Sequence, residues 1–546
     1  MSVDRDACAR DGADGADVVV VGSGGAGLTA AAVAARSGRT VVVLERADVL
    51  GGTTAVSGGM LWVPLNPFMA AHGVTDTADD ALCYLELVTE RMVPRARLEQ
   101  YVRTAPELVR WLHEHTPVRL FPIDRPDYHS EWPGARDSGR CLDNAPFPTA
   151  DRPGLRERIR HGPHFPPLTY AERHESRWDG PDPALVAERT AAGVLTVGAA
   201  LVAGLVAACD DAGVGFVSGT RAVDLLSRDD RIVGVRTDRG PVPAGSVVLA
   251  SGGFEWNSAL RRAFLGHDDV VPVGAPGAEG DGLLMALRAG AAVDGMSRAW
   301  WAPAVRDPAE RYDGLPAARH LVGERCLPGS IVVNRHGRRF VNEAIAYHDL
   351  TKALFTFDPV RHERPNLPAW LVVDERYRRR YRIGPAGPGG PVPGWFTSAE
   401  SVAALGTSIG VDPRELTATV TRFNAHAESG TDPDFGRGGR AHDRYYGDPR
   451  GGGNPCLGPL TEPPFHAVPL AAGTLGTSGG VVTDADGRVL RPDGTPLPGL
   501  FACGNVAASV MGPGYPGSGG TLGPALTGGY LCGTAIAHTT SREGRQ

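Results

Sequence analysis

Three glycines with the spacing of a phosphate-binding turn lie near the N-terminus. Gly22, Gly24 and Gly27 form a GxGxxG pattern directly after the apolar run Val18–Val21. The first glycine of such a pattern makes a tight turn, the second admits a diphosphate to the backbone, and the third lets a helix pack on the strand. Glu45, after a second apolar run, is spaced to bind the adenosine ribose, and its charge argues against a 2′-phosphate. The pattern predicts a dinucleotide site.

The loop that follows, Leu50–Gly59 with the sequence LGGTTAVSGG, helps to choose between the two common dinucleotides. A nicotinamide dehydrogenase more often continues into another helix at this point. Glycines and small hydroxyl side chains instead let the backbone pass close to the diphosphate and the ring of a flavin. The loop therefore favours FAD over NAD, and an ordinary linker is the alternative interpretation.

The elements that must position these residues read as a βαβ unit: an apolar strand, the glycine turn, an alanine-rich helix to Ser37 and a second strand. Further helices are predicted within 78–115 and 195–212, and a β-meander within 215–250. The predicted fold class is α/β, with a Rossmann-type FAD-binding domain split in sequence and an inserted α+β catalytic (cap) domain. The expected divisions are a disordered leader (1–16), the FAD-binding domain (17–298), the cap domain (299–465) and the second part of the FAD-binding domain (466–546).

Composition excludes several other classes of function. The net charge of −7 over 546 residues gives no reason to expect a nucleic-acid-binding face. No apolar run reaches the roughly 18 residues that a membrane span requires, and the acidic N-terminus lacks the apolar core of a signal peptide. The eight cysteines form no CxxC pair, so we expect no metal site and reduced thiols in a cytoplasmic protein.

Six glycine-rich motifs are spread over nearly the whole chain. They are VVVVGSGGAG, GGTTAVSGGMLWVP, ASGGF, GDG, GTSGG and GNVAASVMGPGYPGSGGTLGPALTGG. With these motifs the chain resembles the fumarate reductase/succinate dehydrogenase flavoprotein superfamily and, within it, the 3-ketosteroid Δ1-dehydrogenases. The resemblance implies FAD-dependent 1,2-dehydrogenation of a 3-ketosteroid or a similar cyclic ketone.

Two departures from the wider superfamily refine this expectation. Members with covalent flavin carry a histidine after the first βαβ unit, and residues 50–60 contain none, so FAD should be non-covalent. Fumarate-reducing members bind a dicarboxylate with histidine and arginine near the last two motifs. Here GTSGG lacks histidine and residues 512–529 lack arginine, so a C4 dicarboxylate would be desolvated without counter-charges. We therefore expect a neutral substrate.

The resemblance also implies catalytic roles for four residues. Tyr515 and the backbone N–H of Gly519 would hold the ketone oxygen as its negative charge develops. Tyr347 would abstract the proton, and Tyr128 would assist it, because a free tyrosine with a pKa near 10 is a weak base. His129 and His348 adjoin these tyrosines but are given no role.

The remaining site predictions concern FAD and the substrate pocket. Asn505 should bind the ribityl chain, and the helix that begins near Gly523 should point its N-terminus at the flavin. The cofactor-binding set comprises Gly22, Gly24, Gly25, Ala26, Gly27, Glu45, Arg46, Gly52, Thr53, Thr54, Ser57, Gly58, Gly59, Ala222, Ser251, Gly252, Gly282, Gly504, Asn505, Gly520 and Leu522. Trp300, Phe465 and His466 are predicted to line the substrate pocket, although a core position is as good an interpretation of Trp300.

Three alternatives remain open. The same chemistry would suit a polyketide or terpenoid ring in a biosynthetic pathway. A Δ4-type steroid dehydrogenase is disfavoured by the YPGSG motif, and a non-enzymatic FAD-containing scaffold would need no tyrosine trio. Because the chain has no second GxGxxG unit for NAD, the expected electron acceptor is a quinone, oxygen or a carrier protein.

Overall fold

The computed structural model describes residues 15–162, 165–267 and 269–543. Its helices are α1 (Gly25–Arg36), α2 (Gly52–Ala55), α3 (Ala78–Val88), α4 (Arg95–His115), α5 (Leu155–Arg158), α6 (Tyr170–Glu175), α7 (Pro183–Ala191), α8 (Val197–Asp211), α9 (Ser258–Leu260), α10 (Asp281–Arg288), α11 (Tyr347–Leu354), α12 (Glu375–Arg380), α13 (Val402–Ser408), α14 (Pro413–Ser429), α15 (Ala441–Tyr446) and α16 (Leu522–Glu543).

The strands lie in several sheets. They are β1 (Ala16–Val21), β2 (Val41–Leu44), β3 (Leu61–Trp62), β4 (Leu120–Pro122), β5 (Cys141–Asn144), β6 (Gly215–Val217), β7 (Ala222–Arg228), β8 (Arg231–Thr237), β9 (Gly240–Leu249), β10 (Val271–Pro272), β11 (Val293–Asp294), β12 (Ala299–Val305), β13 (Arg311–Tyr312), β14 (Leu315–Pro316), β15 (Arg319–His320), β16 (Ser330–Val333), β17 (Ala369–Val373), β18 (Thr397–Ala399), β19 (Phe465–Thr477), β20 (Gly480–Val481), β21 (Arg488–Leu490) and β22 (Pro496–Ala502).

The first large sheet carries the predicted βαβ unit. Its strands lie in the order β21-β22-β9-β1-β2-β6, and β1 pairs in parallel with both β2 and β9. The valines of β1 are almost completely buried because α1 covers the sheet together with α8 and α16. Since β22 comes from the C-terminal part of the chain, this domain is split in sequence, as the glycine motifs predicted.

The second large sheet has the order β15-β12-β19-β17-β16, with β10 and β18 also paired to β19. The long strand β19 is its centre: Trp301 of β12 lies opposite Thr474, whereas Phe465 lies opposite Ala399 at the other end. The boundary predicted at residue 465 therefore falls at the first residue of a strand that belongs to the second sheet.

Two further expectations concern the N-terminal leader and membrane-spanning helices. Residues 1–14 of the predicted leader lie outside the described residues, and Ala16 is already the first residue of β1. Among the described residues, no helix combines the length and apolar character needed to cross a bilayer.

Candidate functional site

The glycine turn between β1 and α1 leaves backbone open to a ligand. Gly22 has a φ of +105°, and a β carbon at Gly27 would lie 2.1 Å from the Gly22 carbonyl oxygen, so both must be glycine. A β carbon at Gly24 would meet only the Thr54 hydroxyl, at 3.7 Å, and one at Gly52 nothing within 4 Å. The N-cap Gly24 supplies no side chain to the first turn of α1. This open backbone at a helix N-terminus fits a diphosphate.

Glu45 joins the turn to the loop that follows β2. Its Oε2 accepts hydrogen bonds from the N–H and the hydroxyl of Ser23, at 3.1 and 2.6 Å. The same hydroxyl accepts a bond from the Gly51 N–H, and Thr54 accepts one from the Gly25 N–H at 3.0 Å. These bonds hold the loop Leu50–Gly59 against the N-terminus of α1. This is the loop whose sequence favours FAD over NAD.

Other predicted cofactor residues surround this turn. The Ser251 hydroxyl accepts a hydrogen bond from the Gly282 N–H at 3.2 Å, which ties the ASGGF and GDG motifs together. Arg46 donates to the Gly277 carbonyl and to Glu279. Asn505 accepts a bond from the Trp300 indole N–H at 3.2 Å, so the last motif is linked to β12.

The three predicted catalytic tyrosines meet in one buried cluster, called here the tyrosine cluster (Tyr128, Tyr347 and Tyr515). Their ring centroids are 5.3 to 5.5 Å apart in every pair. Trp300 lies edge-on to Tyr515 at 5.0 Å, and His442 edge-on to Tyr128 at the same distance. Trp300 thus borders the tyrosine cluster, and His442 is a neighbour that the sequence did not indicate.

Two hydroxyl side chains of the last motif orient the tyrosines. Ser518 lies 3.1 Å from the Tyr128 hydroxyl, and Thr521 donates to the Tyr515 hydroxyl at the same distance. Gly519 has a φ of +92°, and a β carbon there would lie 2.5 Å from the Trp62 nitrogen. Its own N–H donates to no acceptor in the part of the chain that the structure describes. Neither Ser518 nor Thr521 was singled out from sequence, although both stand inside the GSGGT segment.

Burial raises the pKa of each tyrosine in the cluster, and that of Tyr347 most clearly. The hydrogen bonds among the three tyrosines have smaller effects, which raise the pKa of one tyrosine and lower that of the others. Hydrogen bonding with Tyr347 lowers the pKa of Tyr128 and Tyr515, whereas the same contacts raise the pKa of Tyr347. The three hydroxyl groups are therefore coupled to one another, and burial keeps them protonated at neutral pH.

A buried ion-pair network fixes the loop that carries Tyr128. Asp127 accepts hydrogen bonds from the Trp62 indole at 2.7 Å and from Arg140 at 2.8 Å. Arg140 also pairs with Asp76 at 2.6 Å, and its side chain is 1% exposed. Because Asp127 directly precedes Tyr128, this network sets where the tyrosine ring enters the cluster.

Tyr347 is the first residue of α11, and a second ion-pair network holds the segment before that helix. Glu343 lies between Arg339 and Arg437, at 2.7 and 3.2 Å, and all three side chains are nearly or completely buried. Arg339 also pairs with Asp432 at 2.8 Å. Tyr347 therefore follows a segment that charged contacts fix beside the second sheet, where Glu343 also accepts a hydrogen bond from the Val332 N–H.

The histidines beside the tyrosines are occupied elsewhere. His348 accepts a hydrogen bond from the Trp301 N–H through Nδ1 and lies 2.9 Å from the Pro513 carbonyl oxygen through Nε2. His129 stacks on Trp132 and lies 3.3 Å from Asp349. Burial lowers the pKa of each to about 4, so both imidazoles are neutral at pH 7.

Phe465 and His466 lie away from the tyrosine cluster. Phe465 packs in an apolar core with residues of β16 and α14, and His466 contacts Ser398 at 2.8 Å and Glu375 at 3.2 Å. At about 3.3 Å per strand residue, Phe465 is about 30 Å along β19 from Thr474, which lies opposite Trp301. The expectation that these two residues share a pocket with Trp300 is thus corrected by the length of β19.

One group of side chains has the geometry of a metal site within the described residues. The ligand atoms of His426, Asp432 and Asp434 lie within 4.8 Å of one another. Arg339 already neutralises Asp432 at 2.8 Å, and Arg422 is hydrogen-bonded to Asp434. Two bound guanidinium groups disfavour a further cation there.

Comparison with known proteins defines the class of this molecule. The FAD binding domain family matches residues 17–522, a range that includes the turn described above, and the class is that of FAD-dependent dehydrogenases. A 3-oxosteroid 1-dehydrogenase of Mycobacterium tuberculosis (strain ATCC 25618 / H37Rv) is 38% identical, with 96% of this chain and 99% of the relative covered. The chain belongs to the family of FAD-dependent 3-ketosteroid Δ1-dehydrogenases.

Two further proteins are similar to this chain over nearly its whole length. A 4-oxocyclohexanecarboxylate 2-dehydrogenase of Sinomonas cyclohexanicum is 41% identical, with 95% of this chain and 92% of the relative covered. The crystal structure of 3-ketosteroid delta1-dehydrogenase from Sterolibacterium denitrificans, in complex with 1,4-androstadiene-3,17-dione, superposes with a TM-score of 0.89. That match has 34% identity and covers 96% of this chain and 99% of the other.

Proposed function

We propose that this protein desaturates a 3-ketosteroid or a similar cyclic ketone at the carbon–carbon bond next to the ring carbonyl. The observation that carries the proposal is the convergence of Tyr128, Tyr347 and Tyr515, with rings 5.3 to 5.5 Å apart, from three distant parts of the chain. The names of the steroid and cyclohexane relatives support it, because each describes dehydrogenation beside a ring ketone. Neither name supports a polyketide or terpenoid substrate.

The ketone oxygen would be held by Tyr515 and Gly519. Removal of a proton next to a carbonyl places negative charge on its oxygen, so preorganised donors lower the barrier. Burial raises the pKa of Tyr515, which keeps its hydroxyl protonated as a donor. The Gly519 N–H has no acceptor within the described residues, and the positive φ of this glycine explains why no side chain stands there.

The α proton of the substrate would pass to Tyr347. A phenol is a poor base at neutral pH, and burial raises the pKa of Tyr347 further. Tyr128, whose ring centroid lies 5.3 Å from that of Tyr347, would assist it by hydrogen bonding to its hydroxyl. This hydrogen bond lowers the pKa of Tyr128, against the larger effect of burial, which raises it.

FAD, when bound, supplies the hydride acceptor that this reaction requires. The open backbone at Gly24 and Gly52 and the N-terminus of α1 would hold its diphosphate, and Glu45 its ribose. Residues 50–60, in the loop after β2, contain no histidine, which supports non-covalent binding of FAD. We also propose that a quinone or oxygen reoxidises the reduced protein.

A cytoplasmic location completes the proposal. It is supported by the thiols: the seven described cysteines are free, and six of them are buried. Buried reduced thiols are typical of proteins from a reducing compartment. Fractionation of the producing cells, with the flavin-containing protein followed by antibody, tests this location.

The decisive test is anaerobic mixing of the purified yellow protein with androst-4-ene-3,17-dione. Loss of flavin absorbance together with a new conjugated double bond in the product is the expected result. Tyr515→Phe should lower turnover roughly 10²-fold, the usual effect of removing one such donor. An unchanged turnover in that variant would remove Tyr515 from the ketone site.

A further inference from the structure

Arg125 is a buried arginine that has no anionic partner in the part of the chain described. Its residue is 3% exposed, and the Nε–H has no hydrogen-bond acceptor there. The guanidinium donates only to the Met60 thioether, at 3.4 Å, and to the Tyr446 hydroxyl. A thioether is a weak acceptor and a phenol is uncharged, so the positive charge is left uncompensated. Buried charges are ordinarily paired, because an isolated one is costly.

The other buried arginines within the described residues are each compensated. Arg140 and Arg437 have carboxylate partners, and Arg160 pairs with Asp313. Arg325 and Arg378 donate to backbone carbonyl oxygens. Arg125 alone has neither kind of acceptor, although π faces surround it: the rings of Tyr170, Tyr445 and Tyr446 lie 4.5 to 5.5 Å from its central carbon.

Arg125 also adjoins the proposed ketone site. Met60, which accepts from the guanidinium, lies 3.6 Å from the Cys141 sulfur. Cys141 in turn donates to the carbonyl of Ser518 at 3.2 Å, and the Ser518 hydroxyl contacts Tyr128. Two sulfur atoms thus separate the guanidinium from the residue that precedes Gly519. The charge lowers the pKa of both Tyr128 and Tyr515, although less than burial raises it.

We propose that Arg125 binds a carboxylate of the substrate, so that the natural substrate is a cyclic keto acid. This inference rests on the proposed desaturation and narrows its substrate. The carboxylate would accept from the free Nε–H and a terminal N–H, the paired geometry that guanidinium groups favour. The ketone would meanwhile lie between Tyr515 and Gly519.

The short path between the two ends favours a small molecule. Because only Met60 and Cys141 intervene between Arg125 and Ser518, a keto acid with one ring matches the separation better than a steroid with a distant carboxylate. The sequence predicted a neutral substrate from the arginine-free last motif, and Arg125 lies far from that motif along the chain.

The test compares 4-oxocyclohexanecarboxylate with its uncharged methyl ester, using the FAD-loaded protein and a dye acceptor. The wild type should favour the acid over the ester by roughly a hundredfold in kcat/KM, as expected for a buried charge pair. In Arg125→Met this ratio should fall to near one, and Arg125→Lys should keep part of it. Arg450→Met is the matched control, because Arg450 also stacks on an aromatic ring but is paired with Asp448, and its ratio should equal that of the wild type.

Calorimetric titration with cyclohexanecarboxylate, which lacks the ketone, gives a readout independent of turnover. Binding by the wild type and its loss in Arg125→Met would support the proposal. A wild-type acid-to-ester ratio near one would overturn it without any variant. Equal losses for acid and ester in Arg125→Met would also overturn it, because they would show that Arg125 acts on the ionisation of Tyr128. Failure of the wild type to desaturate the acid, the ester and the steroid alike would instead refute the proposed function.

Discussion

The glycine turn and the tyrosine cluster are assembled in opposite ways. The turn is built from residues close in sequence, and its main internal bonds join residues 22 to 29 positions apart. The contacts of the tyrosine cluster join residues as much as 390 positions apart, as between Tyr128 and the neighbouring Ser518. Local backbone geometry therefore sets the glycine turn, whereas buried ion pairs between distant segments hold the site of chemistry. The two sites should respond differently to mutation.

The largest expected effect separates chemistry from cofactor binding. Tyr347→Phe removes the proposed proton acceptor and should lower kcat roughly 10³-fold, within the range for general-base groups. The FAD content of the variant should equal that of the wild type, because Tyr347 lies in the cluster and not in the turn. Steady-state kinetics and the flavin absorbance of the purified protein measure both quantities.

Tyr530→Phe, on the half-buried face of α16, is the control and should behave as wild type. A loss below threefold in Tyr347→Phe would contradict the role proposed for Tyr347.

The second prediction tests whether buried ion pairs hold the cluster together. Arg140→Met leaves Asp127 buried without its cationic partner and removes one of the two arginines beside Asp76, so the free energy of unfolding should fall by about 3–5 kcal/mol. Urea unfolding measures this loss, and kcat should fall as well because Asp127 precedes Tyr128. The exposed Arg228→Met is the control. If Arg140→Met has wild-type stability, the cluster depends on other contacts.

The third prediction returns to the glycine turn. Thr54→Val removes the acceptor of the Gly25 N–H, a hydrogen bond that contributes about 1 kcal/mol. The dissociation constant for FAD should therefore rise about fivefold, with kcat at saturating FAD nearly unchanged. Fluorescence titration of the apoprotein measures the affinity. Thr407→Val, at an exposed position of α13, should leave the affinity at the wild-type value. A large drop in kcat for Thr54→Val would contradict the separation of the two sites.

The smallest effect is a pH dependence of stability. The buried imidazole of His348 has a pKa of about 4, lowered from an ordinary value of 6.5. Between these values the unfolded state binds more protons, so this histidine lowers stability as the pH falls from about 6.5 to 4. Burial raises the pKa of Glu255 to about 7 and that of Asp143 to about 6. These two acids therefore increase the stability as the pH falls, opposite to the effect of His348.

The contribution of His348 is isolated by comparing His348→Asn with the wild type. When the pH is lowered from 7 to 5, the free energy of unfolding should decrease more in the wild type than in the variant. Equal differences in the two proteins would show that the imidazole is not held neutral in the fold.

The sequence-based predictions succeeded where a structural rule is local. β1, β2 and α1 lie where the apolar runs and Gly22 to Gly27 predict them, because turn geometry and strand periodicity need only neighbouring residues. Phe465 and His466 were misplaced because proximity to a predicted boundary says nothing about the direction and length of β19. The sequence did not single out Arg125, because this residue stands in an arginine-rich segment with no clear periodicity.

The sequence by itself determined the cofactor class and the split α/β fold. Its resemblance to a known family predicted which three tyrosines have catalytic roles. Only the tertiary structure decided that these tyrosines touch, that Ser518 and Thr521 bind their hydroxyls, and that Arg125 is buried without a counter-charge. The reason is physical: backbone geometry is encoded over a few neighbouring residues, whereas the burial and pairing of a charge depend on every segment that packs around it.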